Sequence, residues 1–148
     1  MWRYEHTAQA PVSPEAVWRL WSEVELWPDW NPDIETITID GPFAAGSKFV
    51  MNPDSDESVH MTLEEVVPGT SFTDLAEFNG LVIRTIHLME PAEGGNLRIT
   101  YAMEITGPDA DTAGAEVGEQ ITSDFPETVA VLLEQAARSS LRPEVPPH

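Results

Sequence analysis

Ser13-Pro14-Glu15-Ala16-Val17-Trp18, followed by Val24-Glu25-Leu26-Trp27-Pro28-Asp29-Trp30-Asn31-Pro32, decides how this chain of 148 residues folds. Ser13 is an N-cap residue, Pro14 suits the first helical position, and Glu15 complements the helix dipole in the first turn. Val17, Leu20, Trp21 and Val24 recur three or four apart and share one helical face. Pro28 and Pro32 then break the chain, since proline removes a helix hydrogen bond and clashes with the preceding turn. The stretch predicts two short helices meeting at a bend, with two tryptophans in the bend.

On the N-terminal side, Trp2, Tyr4, His6 and Ala8 alternate with Arg3, Glu5, Thr7 and Gln9, the period of a half-buried strand. On the C-terminal side, strand patterns run over Ile34–Ile39, Lys48–Asn52, His60–Val67, Ser71–Phe78, Leu81–Met89 and Leu97–Ile105. Turn signals separate them: Gly41-Pro42, Pro68-Gly69, Asn79-Gly80 and Gly94-Gly95. Asn-Gly between two strand patterns is a strong hairpin signal. Past Gly107-Pro108 the period becomes helical. Val117, Ile121, Phe125, Val129, Leu132 and Ala136 form a stripe, with Pro126 kinking the helix or restarting it behind an Asp124 N-cap.

These elements amount to an α+β domain: one strand, two short helices, about six further antiparallel strands and a long C-terminal helix. A curved sheet of about seven strands around that helix leaves a space between them. The quoted block, together with Gly46-Ser47-Lys48-Phe49 and Glu65-Val66-Val67-Pro68-Gly69, resembles the START-like (Bet v 1-like) superfamily, and within it the bacterial polyketide cyclase/dehydrase and lipid-transport family. The resemblance spans Tyr4 to Arg138. It implies a helix-grip fold whose cavity holds a hydrophobic or aromatic small molecule. It implies no universal catalytic motif, because carriers, cyclases and sensors share the fold.

Composition narrows the partners. Twenty-six acidic against seven basic residues give a net charge of −19, spread along the whole chain. Such a surface disfavours nucleic acid and anionic membranes, whose phosphates demand clustered Lys and Arg. The absence of cysteine excludes disulfides, thiolate zinc sites and cysteine nucleophiles. No apolar run reaches the ~20 residues of a membrane span, and Met1 to His6 lacks a signal-peptide core. The expectation is a cytoplasmic monomer or homodimer with no cofactor and no metal. Residues 1–138 form the domain and 139–148, rich in proline, a loose tail.

The candidate chemistry lies inside. His6 shares the aromatic face of the first strand with Tyr4, as a cavity-lining group or as a core histidine bonded to backbone. His87 faces inward with Leu81, Ile83, Thr85 and Met89 if the last hairpin pairs odd residues with odd; the opposite phase sends Arg84 inward instead. In helix-grip order the first and sixth strands flank the seventh. His6, Tyr101 and His87 then line one wall within ~10 Å. Two imidazoles and a phenol suit acid–base work in a cyclisation, dehydration or isomerisation, or merely orient a bound ligand. Tyr4, Trp30, Met51, Met61, Ile99, Met103 and Phe125, with Arg84 in the alternative phase, are the candidate ligand contacts. Trp27 is the expected structural plug. Three functional classes follow: a carrier, an acid–base enzyme, and an interaction domain using an edge strand or the acidic face.

Overall fold

The computed structural model describes residues 2–30, 34–53, 59–78 and 80–141. The chain begins with strand β1 (Trp2–Ala10), then helix α1 (Pro14–Ser22), a 3-10 turn over Val24–Leu26, and the one-turn helix α2 (Trp27–Trp30). Strands β2 (Ile34–Asp40), β3 (Lys48–Pro53), β4 (Val59–Val67), β5 (Ser71–Phe78), β6 (Leu81–Pro91) and β7 (Leu97–Thr106) follow, then helices α3 (Ala110–Thr122) and α4 (Phe125–Leu141). The seven strands form one antiparallel sheet in the order β1-β7-β6-β5-β4-β3-β2. This is the expected helix-grip arrangement, in which β1 crosses the sheet to pair with β7.

Local chemistry sets the elements. The Ser13 side chain accepts the Ala16 N–H at 3.0 Å and starts α1, whose inward face buries Val17 and Trp21. Asn79 lies outside the described residues. Gly80 beside it takes φ of +79°, and the pairing of Phe78 with Leu81 leaves a two-residue connection. That connection fixes the register of the whole hairpin. Odd residues of β6 from Leu81 to Met89 are buried, and even ones are only half-buried. His87 therefore faces the core, and Arg84 takes the outer face, where Glu64 accepts from its guanidinium at 2.9 Å.

The C-terminal helix is not continuous. It breaks at Ser123-Asp124, and Pro126 occupies the second position of α4, where a missing N–H costs nothing. The Thr128 N–H bonds to the Asp124 carbonyl at 2.8 Å. Across the break the buried face changes. In α4 the expected stripe holds, with Phe125, Val129, Leu132 and Ala136 buried. In α3 the buried residues are Ala110, Gly114, Gly118 and Thr122, while Ile121 is 41% exposed. The physical reason is proximity to β1: a Cβ on Gly118 would run into the Trp2 ring, so only a small-residue face can seat there. Backbone helix continues through Leu141, past the expected end of the domain at residue 138; residues 142–148 of the expected tail lie outside the described residues.

Candidate functional site

A cavity of about 310 Å³ opens between the sheet, α2 and the α3–α4 junction. Its walls come from separate parts of the chain. The α1–α2 bend supplies Trp21, Trp27 and Trp30; β3 and β4 supply Met51, Val59 and Met61. The helix junction supplies Ile121, Asp124, Phe125 and Thr128, and the exposed Ile121 marks the mouth.

The central strands bring in the polar groups. His87 pairs with Tyr101 on β7 and with Phe72 on β5, and Tyr101 pairs onward with His6 on β1. The three expected acid–base residues thus stand in one row across adjacent strands. The His87 ring stacks on Phe72 with centroids 3.9 Å apart and meets Tyr101 edge-on at 4.6 Å. Its Nδ1–H donates to the Phe72 carbonyl at 3.2 Å. That bond fixes the proton on Nδ1; burial, which outweighs the bond's upward pull, pushes the imidazole pKa down to about 3. Burial also pushes the Tyr101 phenol upward, although its oxygen accepts the Trp21 Nε1–H at 3.1 Å. Near neutral pH neither group exchanges a proton easily.

Another titratable group in the cavity lining is Asp74. It lies on β5 opposite Thr85, and only 3% of it is exposed. Desolvation pushes its carboxyl up to about 8, opposed by a hydrogen bond from Thr85. Asp74 Oδ1 has no hydrogen-bond partner among the described residues. Neither has the indole Nε1 of Trp30, which is also buried and also lines the cavity. Trp27 differs: its Nε1–H is shared between the carbonyls of Leu20 and Trp21 at 3.0 and 3.1 Å. Buried polar atoms are normally paired, and these two, on residues that line one cavity, are exceptions among the described residues.

Of the candidate ligand contacts, Trp30, Met51, Met61, Met103 and Phe125 line the cavity, as do His87 and Tyr101. Four candidates do not. His6 and Tyr4 lie on the edge strand β1; Tyr4 packs on Phe125, which itself lines the cavity. Ile99 is fully buried in the apolar core. Arg84 is on the outer face, because the hairpin register puts odd residues inside.

Asp74 is the group that reading single strands missed. The signal was present in the hairpin. Once Asn79-Gly80 pairs Phe78 with Leu81, an inward His87 requires inward Phe72 and Asp74 on the neighbouring strand.

A family model described as polyketide cyclase/dehydrase and lipid transport matches residues 1–136. No curated protein matches the chain. Among solved structures, XoxI from Bacillus cereus is 14% identical with a TM-score of 0.75, covering 93% of this chain and 96% of its own. Norcoclaurine synthase from Thalictrum flavum, in complex with dopamine and hydroxybenzaldehyde, is 14% identical with a TM-score of 0.71, covering 95% and 86%. A START superfamily protein from Mycobacterium smegmatis is 14% identical with a TM-score of 0.69, covering 92% and 97%. At these identities the structures share the fold. Because the family model covers nearly the whole chain, with the helix-grip topology beneath it, the chain belongs to the polyketide cyclase/dehydrase and lipid-transport family.

Proposed function

We propose that this protein binds and carries a small, largely apolar or aromatic molecule in the cavity between its sheet and its C-terminal helices. The observation that carries this reading is the cavity itself: about 310 Å³ walled by indole, phenyl and thioether groups, with two orphan polar atoms. Mostly apolar pockets with a few fixed polar groups bind organic ligands in this way. Trp30, Met51, Met61, Met103 and Phe125 contact the apolar body, the methionines adapting to its shape. His87 and Tyr101 brace the wall.

The test is a fluorescence titration with the neutral dye prodan, alongside native mass spectrometry of freshly purified protein for a co-purifying ligand. Saturable binding is expected, and Met61→Trp, which fills the cavity, abolishes it while leaving the circular dichroism spectrum intact. Binding that survives in the filled variant places the ligand elsewhere and sinks the reading.

A second reading, acid–base catalysis of a cyclisation, dehydration or isomerisation, draws on one observation. Asp74, with a pKa of about 8, is the cavity group poised to give and take a proton near neutrality. On this reading Asp74 replaces the trio His6, His87 and Tyr101 as the proton-transfer group. Turnover of a bound ligand that Asp74→Asn abolishes without loss of binding would favour it over simple carriage.

A further inference from the structure

Among the described residues no cation pairs with Asp74. The other titratable side chains in the lining are His87 from β6, Tyr101 from β7 and Asp124 from the α3–α4 junction. The imidazole is neutral, the phenol is neutral, and Asp124 is a further acid. The lining residues from α1, α2, β2, β3 and β4 carry no titratable group. A buried carboxyl without a countercharge and with one oxygen unbonded costs stability, and a fold tolerates such a cost where a function uses the group.

Three features surround it. Trp21, Trp27 and Trp30, with Phe72, Tyr101 and Phe125, present aromatic rings to the cavity, and ring faces attract cations. The chain carries −19 charges, so the potential at the mouth draws cations inward and repels carboxylates. The Asp74 Oδ1, without a hydrogen-bond partner among the described residues, offers an acceptor in a largely apolar chamber. Resting on the ligand-binding reading above, we infer that the ligand is an amine: an apolar or aromatic body bearing one ammonium group, which pairs with the Asp74 carboxylate. On binding, the Asp74 carboxylic acid releases its proton to solvent and the resulting carboxylate faces the ammonium. Negative and neutral amphiphiles of the same shape lack that pairing.

Isothermal titration at pH 7 with 1-naphthylmethylamine, 1-naphthalenemethanol and 1-naphthylacetate tests this, since the three share one apolar body. The amine is expected to bind more tightly than the alcohol by about tenfold or more, with the carboxylate weakest. Asp74→Asn is expected to erase the amine's advantage and retain the alcohol. Repeating the amine titration in buffers of different ionisation enthalpy reads the proton directly in the unaltered protein, so the test does not depend on the variant folding. About one proton should be released per amine bound. An alcohol that matches or exceeds the amine, or amine binding without proton release, overturns the inference while leaving the cavity reading intact. If neither prodan nor any naphthyl probe binds, both fall.

Discussion

At the scale of single residues, two buried groups pull stability in opposite directions with pH. Asp74 has a folded pKa of about 8 against an ordinary value of 3.8, so it binds its proton more tightly when folded. Its contribution is complete below pH ~4 and is lost as pH rises toward 8. His87 is the reverse, at about 3 against 6.5, and its contribution appears as pH rises from 3 to 6.5. Between about pH 4 and 6.5 the slopes offset; above 6.5 that of Asp74 remains. Chemical denaturation should therefore show a plateau followed by a decline of roughly 2 kcal/mol by pH 8. Asp74→Asn should remove the decline, and a variant that keeps it would assign the decline to other groups. Trp30→Phe tests the second orphan atom. Deleting an unpartnered indole N–H forfeits no hydrogen bond, so the melting temperature should change by no more than about 2 °C, net of the lost ring contacts. Tyr101 and the inward methionines were readable from alternation along their own strands, whereas His87 stood against Arg84 until the hairpin register decided between them. Asp74 needed the register of two strands taken together.

At the scale of elements, the caps and the helix seats make separable predictions. Ser13→Ala deletes the side-chain acceptor for the Ala16 N–H at 3.0 Å and should cost about 1 kcal/mol in urea unfolding. Gly118→Val places branched carbons where the Trp2 ring lies, and should cost about 1–3 kcal/mol through overpacking. The paired variant Gly118→Val with Trp2→Ala should recover part of that loss, whereas a shortfall equal to the sum of the single changes would mean the two do not meet. The sequence marks the start of α1 clearly, because capping is local. It marks the seat of α3 poorly. Val117 and Ile121 continue the apolar stripe of α4, but past the break at Ser123-Asp124 the buried face of α3 is Ala110, Gly114, Gly118 and Thr122, and the space beside Trp2 at Gly118 has no room even for a Cβ.

At the scale of the whole molecule, the charge of −19 acts on stability as well as on ligand choice. Like charges crowded on a compact surface repel, and salt screens them. Raising sodium chloride from 20 to 500 mM should raise the melting temperature by several degrees, roughly 1 kcal/mol or more for a chain of this length. A melting temperature that falls would mean favourable ion pairs outweigh the repulsion. The few pairs seen, such as Arg19 with Glu23 and Arg138 with Glu134, are exposed and contribute little. By itself the sequence determined the α+β class, the strand boundaries to within two residues, the proline-punctuated bend and the family, because alternation, caps and turn residues act over a few positions. Only the tertiary structure decided which residues meet in the cavity. That choice depends on register between strands, and a one-residue slip of β5 or β6 would exchange Asp74 or His87 for the outward face.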